Sequence, residues 1–321
     1  MNLRKRVVVF RELPPDQFAR LEAQHEVVVA NPRVAAEHGA FLAALPSAQG
    51  LIGSSFPIDD AILAAAPKLE VVSSVSVGVD NYDLAAFKRR GVMLCNTPGV
   101  LTETTADTIF SLVMAASRRI VELASLVREG RWTQNIGESL FGWDVHGKTL
   151  GIVGFGRIGQ AVARRGALGF GMPVLYSNRS PVDVPGLAAH ARRVKFEELL
   201  RLADIVVLTL PLTEQTRGLM GAAQFAAMKP GAIFVNGARG AIVQEDALLA
   251  ALDSGHLRAA GLDVFAVEPL PVDSPLRTHP RVTATPHIGS ATHETRKAMA
   301  QLATSNLLEA LAGKRPTATV T

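Results

Sequence analysis

Three segments in the second half of the 321-residue chain hold side chains suited to a single reaction. Arg239 sits in a small-residue turn after Phe234-Val235-Asn236, Glu268 follows Gly261-Leu262-Asp263-Val264-Phe265, and His287 follows Thr285-Pro286. Reducing a 2-oxo acid needs a cation for the carboxylate, a proton donor for the carbonyl oxygen, and a hydride source facing C2. Arg239 can supply the bidentate cation. His287 can supply the proton, a role often worth roughly 100- to 10,000-fold. Glu268, bonded to the other ring nitrogen, would orient the imidazole and stabilise it when protonated. For oxidation His287 must begin neutral, so that direction should favour higher pH. Each residue alone also fits a structural role: a histidine after proline is commonly structural, and Arg–Glu pairs are commonly ion pairs.

The hydride source is signalled by glycines. Leu150-Gly151-Ile152-Val153 reads as a strand, Gly154-Phe155-Gly156-Arg157-Ile158-Gly159 follows it, and Gln160 to Ala167 continues as a helix before a second strand at Val174-Leu175-Tyr176. The glycine pattern is weak alone but strong between strand and helix, where it marks a dinucleotide-binding turn. Gly154 permits the tight turn, Gly156 lets the backbone approach a pyrophosphate, and Gly159 lets helix pack on strand. The helix N-terminus adds unpaired N–H groups and partial positive charge. The second strand ends in Tyr176-Ser177-Asn178-Arg179-Ser180, where an NAD site usually places an acid. Ser177 stands there instead and Arg179 follows. Ser177, Asn178, Arg179 and Ser180 therefore predict a 2′-phosphate and NADPH (NADP+) as cofactor. A solvated loop arginine is the other reading of Arg179.

These residues need elements to hold them. Strand-like runs stand at 6–10, 26–30, 49–53, 70–75 and 91–95, with helical patterns between them, for instance at 16–24, 58–66 and 82–90. Such alternation predicts a parallel, doubly wound sheet. Asn96-Thr97-Pro98-Gly99 makes a break. Residues 102–130 then read as one long helix, apolar around too much of its circumference to lie at a surface. A second strand–helix series runs from Thr149 to about Pro286, and 292–313 forms a last helix ending at Gly313. The turns carrying Arg239, Glu268 and His287 all follow strands of that second series. In an open α/β sheet they would meet at the C-terminal edge.

Composition narrows the class. The chain has 33 basic and 29 acidic residues, a net charge of +4, and 48% hydrophobic residues. Its basic runs, Arg4-Lys5-Arg6 and Lys88-Arg89-Arg90, lack interleaved aromatics, so no nucleic-acid surface is expected. A single cysteine, Cys95, precludes an internal disulfide and suits a reducing cytoplasm. The apolar run at Val7 to Phe10 is too short for a signal peptide, and no stretch approaches a membrane span, so no membrane partner is expected. The histidines are dispersed, and His287 and His293 lack zinc-like spacing, so no metal is expected.

Together the glycine motif, NGARG at 236–240, GLDVFAVEPLP at 261–271 and TPHIGSATHETR at 285–296 resemble the D-isomer-specific 2-hydroxyacid dehydrogenase family, as does the spacing of Arg239, Glu268 and His287. Ser76-Val77-Gly78-Val79-Asp80-Asn81 and LTETTADT at 101–108 are similar to its bacterial glyoxylate/hydroxypyruvate reductase B group, also called 2-ketoaldonate or 2-ketogluconate reductases. The resemblance implies two doubly wound parallel-sheet α/β domains. A flavodoxin-like substrate domain of residues 1–98 plus 289–321 would surround an inserted Rossmann NADP-binding domain at 99–288. It implies reduction of glyoxylate, hydroxypyruvate and 2-ketogluconate, with Val77 and Gly78 N–H groups joining Arg239 at the carboxylate. It further implies Thr105 and Asp263 near the nicotinamide, Pro211, Ala238 and Gly289 along the cofactor, and a homodimer through the cofactor domains. Relatives often carry His where Thr209 stands, and their loop equivalent to 136–143 can reach the partner subunit's substrate site. Glu268 argues against a formate dehydrogenase, which pairs its histidine with Gln. The missing acid and the lack of a regulatory domain argue against a phosphoglycerate dehydrogenase. A dinucleotide-sensing scaffold on the same fold is a further alternative, disfavoured by the complete Arg–Glu–His set.

Overall fold

The computed structural model describes residues 4–182 and 186–321. Two compact units divide the chain, one comprising the described residues up to Leu101 together with Thr292–Thr321, the other Thr102–Ala291. The changes of unit, at 101/102 and 291/292, fall three residues beyond the expected 98/99 and 288/289.

In the first unit the strands are β1 (Arg6–Val9), β2 (Glu26–Val29), β3 (Gly50–Gly53), β4 (Val71–Ser74) and β5 (Met93–Cys95). All pair in parallel, in the flavodoxin-like order β2-β1-β3-β4-β5. Helices α1 (Pro15–Glu22), α2 (Ala35–Ala44), α3 (Asp60–Ala65) and α4 (Leu84–Arg90) connect them, and the C-terminal helix α11 (His293–Leu311) returns to cover a face. Period-two alternation sorts the strand side chains. Val8, Leu51, Val72 and Leu94 pack with Phe10, Phe41 and Phe87 on one side, while Val7, Val9, Ile52 and Val71 meet Ala303, Leu307 and Leu311 on the other. Both faces of the central strands β1, β3 and β4 are covered, which is why residues 7–9, 51–52 and 71–72 read as apolar runs. Asp59 and Asp83 cap α3 and α4 by accepting from Ile62 and Ala86 N–H, each at 3.0 Å.

Seven parallel strands build the second unit: β6 (Leu150–Val153), β7 (Val174–Ser177), β8 (Ala191–Arg193), β9 (Ile205–Leu208), β10 (Ala232–Asn236), β11 (Leu257–Leu262) and β12 (Val282–Ala284). Their order, β12-β11-β10-β9-β6-β7-β8, is doubly wound and reverses between β6 and β9. Helices α5 (Thr102–Arg118), α6 (Ile120–Arg128), α7 (Arg157–Arg164), α8 (Phe196–Leu202), α9 (Ala222–Ala227) and α10 (Glu245–Asp253) complete it. Ile109 and Val113 of α5 and Val162 of α7 pack on Ile152, Val207 and Val235; Leu199, Phe225 and Leu248 fill the opposite face with Val153, Val206 and Phe234.

One expectation is corrected here. Residues 102–130 are two helices, broken at Arg119, whose φ is 53°. The Arg119 guanidinium holds the break by donating to both Glu122 carboxylate oxygens (2.8 and 2.6 Å) and to the Ser139 carbonyl (2.5 Å). Only α5 is buried. Helix α6 has no buried residue and exposes Ile120, Val121 and Val127.

Candidate active site

At the reversal point in the second unit, β6 runs into the glycine loop. Gly154 has φ 91°, a conformation that side chains disfavour, and a Cβ at Gly159 would lie 2.3 Å from the Gly154 carbonyl oxygen. Gly156, the N-cap of α7, faces open space where its Cβ would stand. The loop thus has the bare backbone and helix N-terminus that a pyrophosphate requires. Thr209, past β9, donates its hydroxyl to the Gly154 carbonyl at 2.5 Å and so secures the turn. Phe155 is buried and stacked on Tyr176 at 3.9 Å, and its N–H donates to Asn178 Oδ1. Its place is therefore in the core beneath the loop. Arg157 is exposed and Ile158 half-buried at the start of α7.

Ser177 ends β7 half-buried, and Arg179 and Ser180 are exposed beyond it. Asn178 joins the glycine loop to the loop after β7, because its amide nitrogen also donates to the Ser180 carbonyl (3.1 Å). The sequence reading missed Arg193 on β8, whose guanidinium donates to the carbonyls of Asn178 (2.9 Å) and Arg179 (3.0 Å). Only the basic pair Arg192-Arg193 could have signalled it. Pro211 is exposed past β9, and its carbonyl accepts from Thr216 Oγ1 at 2.8 Å.

The NGARG turn leaves β10 under the control of Asn236, which is 1% exposed. Its Oδ1 accepts from Ala238 N–H and its Nδ2 donates to the Arg239 carbonyl, both at 3.0 Å. Asn236 was also passed over, since one asparagine among small residues carries no periodic signal. A Cβ at Gly240 would stand 1.8 Å from the Phe265 carbonyl carbon, so glycine alone lets this turn meet the segment that carries Glu268. Arg239 donates through Nη1 to the Ala238 carbonyl (2.8 Å), and its charge acts on Glu268.

Glu268 and His287 meet directly: His287 Nδ1 lies 2.7 Å from Glu268 Oε2, while Glu268 Oε1 accepts from Phe265 N–H at 3.0 Å. Burial pushes the Glu268 carboxyl up. The hydrogen bonds from His287 and Phe265, with the charges of His287 and Arg239, outweigh it and hold the group below the usual glutamate range. Glu268 is then an acceptor only, so Nδ1 carries a proton and Nε2 is directed elsewhere. His287 has φ 55°, a left-handed backbone for a non-glycine residue. The buried Asp263 carboxylate shapes that turn by accepting from Thr285 Oγ1 (2.7 Å) and from the N–H groups of Ile288 (2.8 Å) and Gly289 (2.9 Å). A Cβ at Gly289 would stand 3.2 Å from Asp263 Oδ2 and 3.3 Å from Thr105 Cγ2, so Thr105, Asp263 and Gly289 form one cluster.

Residues 110–289 match the family model described as D-isomer specific 2-hydroxyacid dehydrogenase, NAD binding domain. The chain belongs to that family. It is accordingly a nicotinamide-dinucleotide-dependent oxidoreductase with a Rossmann cofactor fold. It is 52% identical over 311 residues to glyoxylate/hydroxypyruvate reductase B of Citrobacter koseri, covering 96% of this chain and 95% of that protein. A solved protein from Thermus thermophilus is similar at a TM-score of 0.90 and 45% identity, over 98% of this chain and all (100%) of that one. The NADPH-dependent glyoxylate/hydroxypyruvate reductase of Sinorhizobium meliloti, solved with NADP and malonate, aligns at 0.88 and 32% identity over 99% and 97% of the two chains.

The first unit carries Val77 and Gly78 on the loop after β4. The carbonyl of Val77 accepts from Asn96 Nδ2 (3.0 Å) and that of Gly78 from Ser76 Oγ (2.9 Å). Their two N–H groups have no acceptor among the described residues. No helix among the described residues is long and apolar enough to cross a membrane.

Proposed function

We propose that the protein is a cytoplasmic, NADPH-dependent reductase of small 2-oxo acids, glyoxylate, hydroxypyruvate and 2-ketogluconate, yielding D-2-hydroxy acids. The observation that carries this is the 2.7 Å contact of His287 Nδ1 with an ionised Glu268, which leaves Nε2 to give a proton. In the second unit Arg239 is the cation for a substrate carboxylate, and in the first unit the N–H groups of Val77 and Gly78, without an acceptor among the described residues, are suited to hold a 2-oxo acid's own carboxylate. His287 protonates the carbonyl oxygen from Nε2, and Glu268 stabilises the imidazole on either side of that transfer. A bound nicotinamide supplies the hydride. Residues 154–159 hold its pyrophosphate, with Pro211 and Ala238 along the same strand edge. Thr105, Asp263 and Gly289 shape the pocket for its ring.

NADPH is favoured by Ser177 where an acid would repel phosphate, and by Arg179 and Arg193 close to one another. The described residues up to 101 with 292–321 serve as the substrate unit and 102–291 as the cofactor unit. The exposed apolar residues of α6, with Trp132, Ile136 and Phe141 beyond it, are large for a free surface and suit a homodimer through the cofactor unit. The deciding assay follows oxidation of NADPH and NADH by the purified protein with each of the three acids. Oxidation of NADPH well above NADH is expected, lost in His287→Ala while NADPH still binds. No turnover of any acid, or full activity in His287→Ala, would refute the reading.

A further inference from the structure

The first unit carries a second group of cations that the proposed reaction does not use. Its parallel strands end at one edge, so the residues just past β2, β1 and β3 are neighbours there: Arg33, Arg11 and Ser54-Ser55. Pairing persists to that edge, since Ala30 N–H donates to the Val9 carbonyl (3.1 Å) and Phe10 N–H to that of Ile52 (2.9 Å). Helix α11 lies antiparallel on this sheet, with Ala303 bonded to Ser73 and Leu307 and Leu311 against Gly50. Its first turn, with Arg296, therefore arrives at the same edge.

Arg11 is half-buried and tethered on one side only. Its Nη1 donates to Ser54 Oγ (2.5 Å) and Ser55 Oγ (3.0 Å), whereas Nε and Nη2 have no acceptor among the described residues. Burial, followed by the charges of Arg296 and Arg33, lowers the basicity of this guanidinium, and no carboxylate among the described residues acts against them. Burial lowers that of Arg296 as well. Ser55 holds a φ of 62°, a backbone conformation kept where the surroundings impose it. Partly desolvated cations with no counter-charge cost free energy until an anion completes the set. Val77 and Gly78 follow β4 at this same edge.

We propose that Arg11, Arg296 and Arg33 form an oxyanion site for the carboxylate or phosphate at the far end of a 2-oxo acid. The proposal rests on the reading that Val77 and Gly78 hold that acid's own carboxylate. A guanidinium with Nε and Nη2 open presents the planar fork that carboxylate and phosphate match. Inorganic phosphate has the same chemistry as such a tail.

2-Oxoglutarate and 2-oxopentanoate share chain length and differ in the terminal carboxylate, so their calorimetric titration into the full chain with NADP+ isolates the tail. 2-Oxoglutarate should bind about tenfold or more tightly, the worth of a charge-assisted hydrogen bond. The Arg11→Gln/Arg296→Gln double variant should bring the two acids to within about twofold. If that variant does not fold, Arg296→Gln alone should cut the preference by about threefold or more. Phosphate binding that depends on these arginines, without a preference between the acids, keeps the oxyanion site and makes its ligand a free anion. A preference that survives both substitutions, or arginine-independent binding of all three ligands, overturns the site. NADPH oxidation with glyoxylate is followed in parallel. Its absence would refute the reductase reading and leave the calorimetric result to judge the arginines.

Discussion

Replacing Glu268 with Gln tests the mechanism at its narrowest point. The substitution preserves size and can keep the acceptor for Phe265 N–H, which lies 3.0 Å from Oε1. What it removes is the negative charge 2.7 Å from His287 Nδ1. The amide must either present oxygen to Nδ1 without charge, or present NH2 and force the proton to Nε2. Both weaken stabilisation of the imidazole where its charge changes. A hydrogen bond to a charged group contributes about 1.5–3 kcal/mol. The Glu268 side chain is 35% exposed, so water competes and the lower part of that range applies. About 1.5–2 kcal/mol corresponds to a fall of roughly ten- to thirtyfold in kcat/KM. Initial rates of NADPH oxidation with glyoxylate give that ratio, and cofactor fluorescence gives the NADPH Kd, which should stay within about twofold. A kcat/KM within twofold of the parent, or a loss accounted for by cofactor binding, would refute the assignment of Glu268 as the partner of His287.

Other substitutions separate the remaining parts. Ser177→Asp places a carboxylate beside the proposed 2′-phosphate position and should move the NADPH-to-NADH ratio of kcat/KM toward NADH by about tenfold or more; an unchanged ratio would mean Arg179 is a bystander. Gly240→Ala drives a methyl group to 1.8 Å from the Phe265 carbonyl carbon and should cost about 3 kcal/mol or more, read as a lowered denaturation midpoint with a lower kcat. A midpoint matching the parent would show that the two segments can part freely. Because the Glu268 pKa is depressed in the folded protein, its contribution to stability is complete above the unfolded glutamate value and is lost as pH falls through the lower folded value. The stability gap between the parent and Glu268→Gln should therefore narrow below the ordinary glutamate range, and a gap that widens on acidification would contradict this.

Much of the architecture was legible in the chain. Buried parallel strands carry apolar side chains on both faces, so residues 7–10, 51–52, 71–72 and 152–153 stand out as short apolar runs. Gly154 and Gly159 sit where backbone conformation and close approach demand glycine. The residue types of Arg239, Glu268 and His287 named a chemistry because few side chains bind a carboxylate, deliver a proton and hold an imidazole. The break at Arg119 was invisible, since the apolar pattern runs on through Ile120 and Val121.

The chain alone thus determined its local periods, its turns and the chemical menu of its strand ends, because each depends on neighbours in sequence. Only the tertiary structure decided which members of that menu meet. Phe155 went to the core because Tyr176 stacks on it, and Arg119 bends the backbone because the Ser139 carbonyl lies within its reach. Asp263 and Arg193 acquired roles from partners on other turns, and Arg11 from serines past β3. Hydrogen bonds and charge act over a few ångströms of space, and sheet order, which no local pattern encodes, sets those distances.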